Sequence, residues 1–136
     1  MKNKIRTINA SCLCKGIDMK IKGEFRPVIN CHCIQCTKTH GNYAAYTSVL
    51  EENITYISKN TLKWFVSSTK AKRGFCKKCG ASIFFKVNNT VNISIAAGMF
   101  DKPTKLKTIR NIFVGNKSDF YKINEKLPKF NKYPKK

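Results

Sequence analysis

Negative charge is what this sequence has least of. Seven acidic residues stand against 27 basic ones, a formal charge of +20, and from Asn53 to Phe100 there is no acidic residue at all. Such a balance favours anionic partners: nucleic acid, an acidic protein surface or an anionic small substrate. Arginine is scarce as well, since 23 of the basic residues are lysine and only four are arginine. Specific base and phosphate readout leans on the arginine fork, and joint enrichment in Lys and Asn also arises from an AT-rich genome whatever the function. Nucleic acid is therefore kept as a secondary partner, not the favoured one.

Long apolar runs are missing too. The longest, Ile95 to Phe100, spans six residues with Gly98 counted in. A membrane-crossing helix needs roughly 20, so neither a span nor a membrane partner is expected. Met1 to Ala10 alternates basic, polar and apolar residues and lacks the apolar centre of a secretory signal. For the same reason Ala10-Ser11-Cys12 does not read as a lipoprotein cleavage site. An odd number of cysteines, seven, in a chain with no visible export signal argues against a disulfide framework. The expectation is a reduced, cytoplasmic protein whose thiols have another purpose.

What is present is enough for one core. At 136 residues, with 42% hydrophobic and 25% charged, the chain reads as a single globular domain over 1–136. Residues 126–136 hold two prolines and five lysines and read as a surface tail. The dominant hydrophobic period is two. Ile17, Met19 and Ile21 alternate with polar neighbours up to Gly23, as do Leu62, Trp64 and Val66, and Ile93 and Ile95. Ser82 to Val87 is a short run ending at the turn Asn88-Asn89, and Lys107 to Val114 reads as a further strand. Short half-buried strands separated by Gly, Asn and Pro predict a mainly β fold. Helical signals are weak: one turn over Thr37 to Gly41, and a short helix capped by Ser118-Asp119 through Tyr121.

The cysteines carry the chemistry. They form C-x-C at Cys12 and Cys14, C-x-C-x-x-C at Cys31, Cys33 and Cys36, and C-x-x-C at Cys76 and Cys79, the last inside Gly74-Phe75-Cys76-Lys77-Lys78-Cys79-Gly80. In C-x-x-C-G two thiolates flank a tight turn, and the trailing glycine permits positive φ. In C-x-C on a strand, residues i and i+2 share a face, so both sulfurs can reach one metal. Zinc prefers four tetrahedral ligands. Seven thiols divide as four plus three, giving two zinc ions per chain. Cys12, Cys14, Cys76 and Cys79 make a closed structural site that ties an early strand to a late one. Cys31, Cys33 and Cys36 make a three-thiolate face with one position open, the layout of a catalytic zinc. Two alternatives stay open: a second closed site with His40 as fourth ligand, or no second metal. His32 is a poorer ligand, because alternation points it away from Cys31 and Cys33.

These clusters and their flanks resemble the glutathione-dependent formaldehyde-activating enzyme family, to which centromere protein V also belongs. The matching strings are Ser11-Cys12-Leu13-Cys14-Lys15-Gly16, Asn30-Cys31-His32-Cys33-Ile34-Gln35-Cys36, His40-Gly41, Leu62-Lys63-Trp64-Phe65, Arg73 through Gly80 and Ile93-Ser94-Ile95-Ala96-Ala97-Gly98. Asn111 to Val114 with Lys117, and Leu127-Pro128-Lys129-Phe130, also fit. The resemblance implies a β-tent fold, small twisted antiparallel sheets stapled by zinc, and the same division of ligands. It also implies a carbon–sulfur lyase that joins glutathione to formaldehyde, giving S-hydroxymethylglutathione. The family often has His where Asn111 stands and Trp where Phe120 stands.

Three thiolates on zinc leave the site at −1, which suits thiol chemistry better than hydrolysis. Cations should help when an anionic thiol such as glutathione binds. Lys63, Arg73, Lys77 and Lys117 are the candidate cations, each weighed against a solvated surface position. His40 and Tyr43 are candidate proton carriers, weighed against structural polar roles. Trp64, Phe84 and Phe85 read as core. The alternative function is a non-catalytic zinc-stabilised module whose basic surface binds nucleic acid or acidic proteins. Its affinity would fall steeply with salt.

Overall fold

The computed structural model describes residues 4–123 and 126–134. The fold is mainly β. Strands β1 (Arg6–Ser11), β2 (Ile17–Gly23) and β5 (Ile54–Lys59) form a three-stranded antiparallel sheet in the order β1-β2-β5. A seven-stranded sheet has the order β10-β3-β4-β9-β8-β7-β6. Its members are β3 (Val28–Cys31), β4 (Ala44–Leu50), β6 (Leu62–Val66), β7 (Ala71–Cys76), β8 (Ser82–Val87), β9 (Asn92–Ala96) and β10 (Thr108–Ile112). One helix, α1 (Ile34–His40), follows β3.

The period-two reading holds where it was strongest. Ile17, Met19 and Ile21 of β2 are fully buried and pack with Ile8, Ala10, Val49, Ile83, Phe84, Ile93 and Ile95, so the main core lies between the two sheets. Residues directly paired across antiparallel strands share a face. One face of the large sheet therefore carries the row Thr47, Ile95, Phe84, Gly74 and Trp64, through the pairs Thr47 with Ile95, Phe84 with Ile95, Gly74 with Phe84 and Trp64 with Gly74. This is the core face. Trp64 stacks on Phe84 at 5.7 Å, and the stack crosses Gly74, where a Cβ would come within 2.9 Å of Phe84 and 3.0 Å of Trp64.

The opposite face carries Ser94, Phe85, Arg73 and Phe65 in one row, with Ile29 paired to Tyr46 and Cys31 two residues beyond Ile29. Arg73 follows from this register: it neighbours the buried Gly74 in sequence yet points to the other side.

Four features differ from the sequence-based expectation or refine it. β10 runs parallel to β3, whereas the other strand pairs among the described residues are antiparallel. It can do so because most of the chain lies between them as a crossover. The helix begins at Ile34, earlier than Thr37, because Cys33 caps it: its backbone is extended and its sulfur accepts the Cys36 N–H at 3.3 Å. Gly41, at φ 81°, closes it. No helix follows Ser118-Asp119; instead Lys117 Nζ donates to the carbonyls of Ser118 and Tyr121 and holds a loop. The segment 126–134 lies at the surface but is pinned to β10. Asn111 N–H donates to Pro128 O, Phe130 N–H to Asn111 O and Phe113 N–H to Lys132 O. Tyr133 packs edge-on against Phe113 at 4.8 Å. Among the described residues no helix is long and apolar enough to cross a membrane.

Candidate metal centres and the adjoining cavity

The structure gathers the seven thiols into two groups. Cys12, Cys14, Cys76 and Cys79 place their sulfurs within 4.8 Å of one another, and so do Cys31, Cys33 and Cys36. All seven are free thiols, and each group can hold a metal ion.

The four-thiol group joins the turn after β1 to the end of β7. Lys15 takes positive φ in the first turn and Gly80 in the second, which folds each cysteine pair back on itself. Cys14 Sγ is 3.6 Å from Cys12 Sγ and 3.5 Å from Cys76 Sγ. Backbone amides point at the sulfurs: Gly16 N–H to Cys14, Ile17 N–H to Cys12 and Cys79 N–H to Cys76, at 3.3–3.4 Å. Thr61 Oγ1 lies 3.1 Å from Cys76 Sγ. Burial pushes the Cys12 thiol up to about 11. Burial also acts upward on Cys76, but the Cys79 N–H and the Thr61 hydroxyl outweigh it and hold that thiol at about 5. Four sulfurs 2.3 Å from a central ion stand about 3.8 Å apart along a tetrahedron edge, so the spacing and the amide cradle fit a tetrahedral thiolate metal.

The three-thiol group sits where β3 meets α1. Cys31 ends β3, Cys33 caps the helix, and Cys36 lies buried in its first turn. Hydrogen bonds from Cys31 and Cys36 hold the Cys33 thiol down at about 2, while sharing with Cys33 pushes Cys31 up. No His, Asp or Glu among the described residues joins this set. His40, weighed as a fourth ligand, directs Nε2 to Tyr46 OH at 2.8 Å. His32 points away and is buried, with Nε2 2.9 Å from Asn111 Oδ1 and Nδ1 bonded to Tyr121 OH. The residue that departs from the family pattern, Asn111, thus anchors the histidine between two of the cysteines. Tyr43 lies near the same ring, at 5.1 Å.

A cavity of about 570 Å³ opens on the three-thiol group. Its floor is the second face of the large sheet: Ile29, Tyr46, Ser94, Phe85 and Arg73. The end of β10 and the pinned terminal segment wall one side with Phe113 and Tyr133, and Gln35 of α1 lines another. Phe84 and Phe85, adjacent in sequence, divide between core and cavity.

Of the four candidate cations, Lys63 and Lys77 are exposed, and Lys117 is engaged with the Ser118 and Tyr121 carbonyls. Arg73 is buried and reaches the thiols. Its Nη2 donates to Cys36 Sγ at 3.6 Å and to Gln35 Oε1 at 3.4 Å, and its Nη1 donates to Thr39 Oγ1 and Tyr46 OH. Its plane lies over Phe85 at 4.9 Å. Sequence reasoning did not single out Tyr46, Gln35, Arg26 or Tyr133. Tyr46 was the one within reach, since it shares the face of the Cys31 strand, but its register is set only by the pairing of β3 with β4.

Comparison with known proteins bears on the fold and the family. A crystal structure of a Rhodobacter sphaeroides protein shares the fold, with a TM-score of 0.57 at 16% identity, over 74% of this chain and 98% of that one. A Schizosaccharomyces pombe protein named Uncharacterized lyase C29B12.13 is 28% identical over 122 residues, 88% of each chain. The family model described as glutathione-dependent formaldehyde-activating enzyme matches residues 7–116, a span that contains all seven cysteines. The chain belongs to the glutathione-dependent formaldehyde-activating enzyme family.

Proposed function

We propose that this protein is a zinc-dependent carbon–sulfur lyase that adds a thiol, glutathione or a similar one, to formaldehyde or a related small carbonyl. The observation that carries the reading is the contrast between the two thiol groups. One has four sulfurs, enough to fill a tetrahedron; the other has three sulfurs, no fourth protein donor among the described residues, and a cavity against it. Cys12, Cys14, Cys76 and Cys79 would hold a structural zinc, and Cys31, Cys33 and Cys36 a catalytic one. When bound there, zinc would accept the substrate sulfur as a thiolate at its open position.

The residues of the chain then have distinct tasks. A thiolate brought to three others needs a compensating cation, and the Arg73 guanidinium, 3.6 Å from Cys36 Sγ, supplies it. The substrate sulfur attacks the carbonyl carbon, the C=O π bond breaks, and the new alkoxide needs the proton that the thiol gave up. Tyr46 OH lines the cavity between His40 Nε2 and Arg73 Nη1, and burial keeps it protonated. It can give the oxygen a proton and be restored through His40. Phe85, Phe113 and Tyr133 keep the cavity largely apolar, which limits competition from water.

The test begins with metal content and X-ray absorption of the purified protein, with and without glutathione. Two zinc ions are expected, one with three sulfurs and a light atom that a fourth sulfur replaces on adding glutathione. Adduct formation should exceed the spontaneous rate. A second site already filled by nitrogen and indifferent to glutathione, or no acceleration at full zinc loading, refutes the reading.

A further inference from the structure

The cavity holds two guanidiniums with different circumstances. Two of the four arginines in the chain, Arg26 and Arg73, line it; among the described residues no lysine, aspartate or glutamate does. Arg73 is occupied: both its terminal nitrogens are taken by protein atoms, one of them the Cys36 sulfur. Arg26 is not. Its Nε donates to Pro27 O at 3.3 Å and its Nη2 to Tyr46 O at 2.8 Å, which fixes the plane of the guanidinium. A guanidinium has five N–H donors, and Nη1 has no protein partner among the described residues. The Arg26 carbonyl accepts from Thr47 Oγ1 at 2.5 Å, so the backbone that carries the side chain is also held.

The electrostatics point the same way. Among the described residues Arg26 has no carboxylate partner; the ion pair seen there joins Lys86 to Glu51. Burial and the neighbouring positive charge of Arg110 both disfavour its charged form. Arg26 lines the thiol cavity and also a second one shared with Lys22 and Glu24, and a half-buried cation held by two carbonyls and without a carboxylate partner among the described residues is a site for an anion. Its planar fork matches a carboxylate in bidentate geometry, as a lysine would not.

We propose that Arg26 is a carboxylate-binding residue that selects, for the three-cysteine site, thiols bearing a carboxylate remote from the sulfur. The assignment rests on the thiol-addition reading above for the place of the sulfur. The two ends of the substrate are then read separately, the sulfur beside Arg73 and the carboxylate by Arg26, with Tyr46 supporting both guanidiniums through its hydroxyl and its carbonyl.

The experiment uses the zinc-loaded protein and S-methylglutathione, a thioether that keeps both carboxylates and has no thiol to ionise. Calorimetry should show binding to the wild type and a loss of about 10- to 100-fold in Arg26→Gln, the range of a charge-assisted hydrogen-bonded pair. Arg26→Lys should recover only part of it. Turnover gives a second readout that needs no variant: glutathione should show a lower KM than its dimethyl ester on the wild type. In Arg26→Gln that preference should shrink toward one, with the loss falling on KM more than on kcat. Binding of S-methylglutathione to Arg26→Gln within two-fold of wild type overturns the proposal, as does equal KM for glutathione and its ester. If no thiol is turned over while S-methylglutathione binding still depends on Arg26, the anion site stands and the lyase reading fails. If turnover occurs and the ester is used equally well, the reverse holds.

Discussion

Replacing Arg73 by methionine keeps much of the stem volume and removes the charge beside the three-thiol group. The guanidinium nitrogen lies 3.6 Å from Cys36 Sγ. For unit charges at that distance and an effective dielectric of about 20, the attraction is about 4.6 kcal/mol. That is a ceiling, because a bound zinc reduces the group to a net −1 shared by three sulfurs. If Cys36 carries about a third of it, roughly 1.5 kcal/mol remains, or a factor of about 10 in affinity. The assay is competition for metal against a chelator at fixed pH, with cobalt(II) as the probe, because a four-sulfur and a three-sulfur site absorb differently. Arg73→Met should weaken the Cys31, Cys33 and Cys36 site at least ~10-fold and leave the four-thiol site as it was. Arg73→Lys should lie between the two. The internal control makes the result decisive. Equal weakening at both sites would mean general loss of structure, and no weakening at either would mean that the arginine does not stabilise the thiolates; each refutes the electrostatic argument.

Other outcomes follow from the same structure. Cys79→Ser should cost more than about 3 kcal/mol in a denaturant titration, because the four-thiol site ties the first turn to the end of β7; a midpoint unchanged by the substitution or by chelator would contradict a structural metal. Gly74→Ala should destabilise by about 1–3 kcal/mol through overpacking, since its Cβ would meet Phe84 at 2.9 Å and Trp64 at 3.0 Å, and a neutral result would show that the Trp64–Phe84 stack yields. His40 should titrate below the ordinary histidine value of 6.5, because burial and then Arg73 disfavour its charged form. Its neutral state thus contributes stability that is complete above pH 6.5 and is lost as pH falls through the lower folded value. A side-chain NMR titration with a midpoint at or above 6.5 would refute this.

The agreement between sequence and structure has a pattern. The strand Ile17–Gly23 and the run Ser82–Val87 match the strands observed, because burial on one face imposes period two over a few consecutive residues. The helix start was misplaced by three residues because the cap is a cysteine, a residue outside the usual capping set of Ser, Thr, Asp and Asn. The supposed helix after Ser118 does not form: Lys117 ties the loop to its own carbonyls, and Tyr121 turns inward to His32.

What the sequence determined by itself was the mainly β class and the grouping of the cysteines, since period and spacing act over a few residues and survive any arrangement of the strands. The juxtaposition of Arg73, Arg26 and Tyr46 with Cys31, Cys33 and Cys36 was decided only by the tertiary structure. It depends on the register of β3 with β4 and of β7, β8 and β9 across the large sheet. A slip of one residue in any of these pairs would turn a strand over. A slip of β7 against β8 would bury Arg73 among Phe84 and Ile95 and leave Gly74 facing the cavity. Long-range pairing therefore selects which of the 27 basic residues meets the thiols, and no local pattern in the sequence contains that choice.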